Sequence, residues 1–173
     1  MSDGCLSSRI LARLSFVNGH ADVWRLFDDG ALLLAIADGL VAPFRTPGVT
    51  KVAGIESRGF ILGAACALRL GTGFVAIRKG KGLFPGEKLT ATADPDYRGL
   101  SHVLRLQRAS LHEGDRVLLV DDWCETGSQA LTARALVEAA GATFLGLSCI
   151  VDQAADEVRK RLGQYAWLVK PPA

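Results

Sequence analysis

Short apolar runs alternate with segments of helical spacing along this 173-residue chain. That alternation predicts an α/β fold with a central parallel sheet flanked by helices on both faces. Three observations carry the expectation. Thr50–Ile55, Phe74–Ile77, Val117–Val120 and Phe144–Val151 are apolar runs of strand length, rich in β-branched residues. Phe60–Leu70 and Ser128–Ala140 stand between them with helical spacing, and the second ends at Gly141, a C′ position. Hydrophobic residues make up 49% of the chain and charged residues 22%, a balance expected of one folded soluble domain over residues 1–173.

The remaining elements follow in order. The N-terminal stretch Met1–Val17 holds Arg9 and Arg13 inside its apolar part, which spoils a signal-peptide core and suits a short amphipathic helix. Ala21–Phe27 reads as a strand. Asp28-Asp29-Gly30 is a turn or N-cap before a helix over Ala31–Val41, and Pro43, Pro47 and Gly48 then break the chain. Arg78–Asp94 is rich in Lys, Gly, Pro and Thr. Ser101–Gln107 alternates as a strand does, so a hairpin is expected here. Ala155–Leu162 reads as a helix and Tyr165–Val169 as a last strand.

Several function classes recede. The net charge of +2 and the lack of a basic run give no case for nucleic acid. No run approaches the ~18 apolar residues of a spanning helix, so no membrane partner is expected. Cys5, Cys66, Cys124 and Cys149 are widely spaced and read as reduced thiols of a cytoplasmic protein. His20, His102 and His112 lack metal-ligand spacing.

In parallel α/β sheets, ligands sit beyond the carboxyl ends of the strands. Three turns lie there. After Val120 come Asp121 and Asp122, then the polar turn Glu125-Thr126-Gly127-Ser128-Gln129 and a helix. Backbone N–H groups of such a turn form an anion cradle, with Thr126 and Ser128 adding hydroxyls. The two acids are acceptors for vicinal hydroxyls. A phosphate beside a diol describes a ribose 5-phosphate. After Ile55, Ser57, Arg58 and Gly59 stand at a helix start where a second anion fits. After Ile77, Arg78, Lys79 and Lys81 stand among glycines and suit a polyphosphate. No nucleotide P-loop, G-x-G-x-x-G or G-x-S-x-G motif occurs.

These residues together resemble a type I phosphoribosyltransferase, over roughly Asp22 to Val151. Val117–Ala130 is similar to that family's motif for phosphoribosyl pyrophosphate (PRPP). Gly54–Phe60 and Ala76–Gly86 are similar to the pyrophosphate loop and the flexible-loop start of the adenine-specific members. The resemblance implies that Asp121 and Asp122 bind the ribose hydroxyls and that Glu125 to Gln129 wrap the 5-phosphate. It implies that Ser57, Arg58, Gly59, Arg78, Lys79 and Lys81 meet pyrophosphate. It also implies a catalytic acid near the base, with Asp96 at the matching stretch. Further implications are Mg²⁺ held mainly by PRPP with no direct protein ligand, a homodimer, a flexible loop, and a small hood from about residues 1–30 and the C-terminal end.

This sequence departs from the family pattern in two places. Glu125, Ser128 and Gln129 replace the Ala, second Gly and Thr usual in the phosphate turn. The hood reads Gly19–Phe27, with Val23, Trp24 and Phe27 as candidate base-binding residues. The acceptor is expected to be adenine. Guanine, hypoxanthine, xanthine or a non-purine acceptor stays open, as does a PRPP-sensing regulator without chemistry.

Overall fold

A computed structural model describes residues 5–46, 48–80, 83–95 and 99–171. Its main sheet has seven strands: β3 (Lys51–Ile55), β4 (Gly73–Lys79), β5 (Lys88–Thr92), β6 (Val103–Gln107), β7 (Arg116–Cys124), β8 (Thr143–Asp152) and β9 (Gln164–Val169). They lie in the order β5-β6-β4-β3-β7-β8-β9. The pairs β4/β3, β3/β7, β7/β8 and β8/β9 are parallel. The expected hairpin is present: β5 and β6 pair antiparallel with each other, and β6 pairs antiparallel with β4, extending the sheet at one edge. The half-buried pattern of β6, with Leu104 and Leu106 buried between partly exposed neighbours, matches its alternating sequence.

Chain order explains where the crevice opens. From β3 the chain crosses to β4 through α3 (Arg58–Leu70), and from β7 it crosses to β8 through α4 (Ser128–Ala139). The two steps run in opposite directions across the sheet, so right-handed crossovers put α3 and α4 on opposite faces. The switch between β3 and β7 is therefore where a ligand crevice is expected.

Each face has its own core. One joins Leu62, Cys66 and Ala67 of α3 with Ile36, Leu40 and Val41 of α2 (Gly30–Val41), over Leu118, Val120 and Ile150 of the sheet. Ile10 of the N-terminal helix α1 (Leu6–Arg13) closes the same cluster. The other packs Ala133, Leu136 and Val137 of α4 over Val117, Leu119 and Leu147, with Leu104 and Leu106. The last helix, α5 (Asp156–Arg161), is short.

Local chemistry sets the ends. Asp29 caps α2, its Oδ1 accepting from the Leu32 amide at 3.0 Å. Gly141 follows α4 with φ 85°, as a C′ residue does.

Two sequence expectations are corrected. Ala21–Phe27 is not one strand. Only His20–Asp22 (β2) is extended, pairing with Ser15–Val17 (β1) through Asn18-Gly19 at φ 51° and 78°. Trp24–Leu26 then forms a 3₁₀ turn, because Val23 and Leu26, three apart, are both wholly buried while Trp24 and Arg25 face outward. The second correction concerns β7. It does not stop at Val120 but runs through both acids to Cys124, paired along β8 by Asp121 with Cys149, Trp123 with Val151 and Cys124 with Asp152.

Candidate active site

A cavity of about 880 Å³ opens at the carboxyl ends of β3, β4, β7 and β8. The β1–β2 hairpin and the 3₁₀ turn form one wall, through Phe16, His20, Val23 and Trp24. The strand ends form the floor.

Asp121 and Asp122 are its centre. Asp122 is nearly buried, and its Oδ2 lies 3.0 Å from Arg58 Nε across the β3–β7 boundary. The two are paired as charges but not aligned as a hydrogen bond, so Oδ2 keeps an unused acceptor site. Asp121 accepts the Asp122 amide at 2.9 Å. Burial pushes the Asp121 carboxyl well above the ordinary carboxylate range, and the charge of Asp122 pushes it the same way. Lys79, which also lines the cavity, opposes that shift.

Two helix N-termini flank the acids. Ser57 precedes α3 without using its hydroxyl as a cap, so that hydroxyl stays available to a ligand. The approach of α3 to the sheet requires glycine: a Cβ at Gly54 would lie 2.0 Å from the Gly59 carbonyl oxygen. The second N-terminus is the turn before α4. Gly127 has φ 70°, and a Cβ there would lie 2.3 Å from Val158 Cγ1 of α5. Thr126 Oγ1 accepts from the Ser128 amide at 3.3 Å and lies equally close to Ser128 Oγ. Both N-termini turn a favourable helix dipole towards an anion.

A family model for the phosphoribosyl transferase domain matches residues 30–168. The chain belongs to the phosphoribosyltransferase family. It is 42% identical over 123 residues to an adenine phosphoribosyltransferase from Frankia casuarinae, covering 71% of this chain and 62% of that protein. An adenine phosphoribosyltransferase from Streptomyces coelicolor is 40% identical over 131 residues, covering 76% and 70%. A solved APRTase from Giardia lamblia, complexed with 9-deazaadenine, superposes with a TM-score of 0.87 at 28% identity, covering 96% of this chain and 98% of that one. The sheet and its flanking helices are the fold of this phosphoribosyltransferase.

Most of the expected site residues come together in the cavity. Asp121, Asp122, Ser57, Arg58, Lys79 and all of Glu125 to Gln129 line it, as do Val23 and Trp24. Three do not. Gly59 sits behind the wall, spacing α3 from the sheet. Phe27 is half-buried and packs edge-on against Trp24, centroids 5.9 Å apart. Arg78 is turned away, donating to Glu56 at 3.1 and 3.4 Å and to the Leu83 carbonyl at 2.6 Å. Asp96 and Lys81 lie outside the described residues.

Sequence reasoning missed Glu56, Trp123 and Gln153, which line the cavity. Glu56 ties β3 to β4, accepting the Lys79 amide at 2.9 Å besides Arg78, and these hydrogen bonds hold its carboxyl below the usual range despite partial burial. It fixes the backbone from which Lys79 reaches the cavity. The pairing of Arg78 with an acid one strand away was not visible in a basic run read by itself. Cys124 borders the cavity but is nearly buried, with its thiol pushed up to about 11 by burial, so it fills space as an unreactive side chain.

Proposed function

We propose that this enzyme transfers the 5-phosphoribosyl group of PRPP to adenine, giving the nucleotide and pyrophosphate. The observation that carries the reading is the order of groups across the cavity: one helix N-terminus, an acid pair, then a second helix N-terminus. A pyrophosphate, a diol and a 5-phosphate match that order. Ser57, Arg58 and Lys79 receive the pyrophosphate; Asp121 and Asp122 accept from the ribose hydroxyls; Thr126 to Gln129 cradle the 5-phosphate. The Val23–Trp24 wall and Phe16 enclose the base. The adenine-specific relatives and the purine analogue in the Giardia lamblia structure support adenine as the acceptor.

The chemistry places few demands on covalent catalysis. The bond from C1 of the ribose to pyrophosphate breaks as that from C1 to a ring nitrogen forms, the proton of that nitrogen passing to pyrophosphate or solvent, so charge develops on the ribose ring and on the leaving group. Arg58 and Lys79 stabilise the leaving group. The acid pair fixes the ribose for attack. Mg²⁺ fits this donor set, in which the buried Asp122 Oδ2 is an acceptor without a hydrogen bond. When bound with PRPP, the ion adds neutralisation of the pyrophosphate charge. No helix among the described residues is long and apolar enough to cross a membrane. A homodimer in the cytoplasm is our proposal from the family resemblance alone.

The test is pyrophosphate release from PRPP and Mg²⁺ against adenine, guanine, hypoxanthine, xanthine, uracil and orotate. Release with adenine is expected. Release with another base alone moves the specificity and keeps the mechanism. No calorimetric binding of PRPP would remove the reading.

A further inference from the structure

Trp123 and Gln153 form a stretch of cavity wall to which nothing above gives a role. Trp123 Nε1 donates to Gln153 Oε1 at 3.2 Å. The Phe16 ring stands edge-on to Trp123 at 6.3 Å and 85°, so the indole is held from the hairpin side as well. The backbone beneath is fixed on both sides of Gln153. Its amide donates to the Cys124 carbonyl at 2.8 Å, and the Ala154 amide donates to buried Asp152 at 3.1 Å.

This arrangement removes the usual ambiguity of a glutamine amide. An indole N–H can only donate, so the atom facing it is the amide oxygen. The amide nitrogen is left as the outward end. No hydrogen bond from Gln153 Nε2 occurs among the described residues. Gln153 therefore keeps both N–H donors of its side-chain amide for a ligand, on a wall that otherwise carries aromatic faces. Apolar walls with one oriented polar group are what a flat heteroaromatic ligand requires.

We propose that Gln153, oriented by Trp123, is a specificity-determining residue that donates a hydrogen bond to an unprotonated ring nitrogen of the acceptor base. The proposal rests on reading the cavity as a PRPP and purine site, and it names the atom class that the site selects. Adenine presents ring-nitrogen acceptors and one exocyclic amine. The Gln153 NH₂ meets a ring nitrogen favourably and opposes the amine, which fixes how the ring is turned.

The experiment is steady-state kinetics of the full chain with adenine varied at saturating PRPP, then the reverse. Gln153→Glu keeps the shape and the acceptor for Trp123 but offers oxygens where the donor was. It is expected to raise the adenine KM about tenfold, in line with a lost hydrogen bond and an unpaired acceptor. The PRPP KM and Tm should hold. Gln153→Leu should give a smaller rise. Trp123→Phe, which frees the amide to rotate, should also raise the adenine KM. An unchanged adenine KM in Gln153→Glu overturns the proposal. So does a parallel rise of both KM values with a lowered Tm, which marks a structural role. If the unaltered chain turns over no base, the transfer reading fails separately. Calorimetric binding of adenine to the unaltered chain and to Gln153→Glu then decides this proposal: weaker binding to the variant supports it, and equal affinity, or none for either, overturns it.

Discussion

Two neighbouring strands carry carboxylates near their carboxyl ends, and the fold treats them in opposite ways. At the end of β8, Asp152 is fully buried and accepts from the Ala154 amide at 3.1 Å, Tyr165 Oη at 2.7 Å, Arg159 Nε and Nη2 at 3.1 and 2.8 Å, and Lys170 Nζ. Burial alone would raise its pKa, but hydrogen bonds from Lys170, Tyr165 and Arg159 outweigh that and hold it below the ordinary range. On β7, Asp122 has one cation beside it and Asp121 is held high by burial and by its neighbour's charge. A carboxylate whose lone pairs are all taken has become part of the scaffold. A pair left short of donors carries a cost that only a ligand's hydroxyls or a cation removes, and such pairs mark functional sites.

The comparison breaks most visibly if the two ends are neutralised separately. Asp121→Asn with Asp122→Asn should lower kcat/KM for PRPP by about a thousandfold or more, which at ~1.4 kcal/mol per tenfold is ~4 kcal/mol of transition-state stabilisation. The circular dichroism spectrum should be retained. A double variant with full activity would show that the acid pair is not the site.

Asp152→Asn should do the reverse. It takes the charge out of a network centred on a wholly buried carboxylate, leaving Arg159, a fifth exposed and still paired with Asp156, facing a neutral amide. Thermal unfolding should show a Tm lower by on the order of 10 °C, with turnover at 25 °C kept near the starting value. Some rise in the PRPP KM is expected too, because Arg159 anchors α5 and Val158 of that helix backs Gly127. A variant that unfolds at the original temperature would show that the network is decoration.

How much of this contrast could be read beforehand follows from how local each signal is. The β7 acids and the turn after them are contiguous, so their order along the chain was legible and implied a diol beside a phosphate. The β3, β4, β7 and β8 runs and α3 and α4 were legible from apolar periodicity. The Asp152 network was not, because its partners Arg159, Tyr165 and Lys170 come from α5 and from β9 and its end, and meet only when β9 pairs with β8. The Ala21–Phe27 error has the same origin: five of its seven residues are apolar, as in a short strand, but burial of Val23 and Leu26 against the helical face decides a 3₁₀ turn. Arg78 looked like a pyrophosphate ligand beside Lys79. Only the pairing of β3 with β4 shows that Glu56 has claimed it.

The smallest expected effect tests the physical cause of the contrast, and it concerns stability against pH. Asp121 has a folded pKa above its unfolded value of about 3.9, so its ionised form is penalised in the fold. That penalty is absent below the unfolded pKa and complete above the folded one. Asp121→Asn carries no such penalty, and its amide oxygen can still accept from the Asp122 backbone. Relative to the unaltered chain, the single variant should therefore gain Tm as pH rises from the unfolded pKa through the raised folded one. For Asp152 the sign is opposite. Its folded pKa lies below the unfolded value, so its stabilisation is present above about pH 4 and is lost as pH falls through the folded pKa. The Asp152→Asn deficit should be widest near neutrality and close in acid. If both variants lost stability with the same pH profile, both carboxylates would be scaffold. The high pKa of Asp121 would then no longer distinguish a site waiting for its ligand from a network already complete.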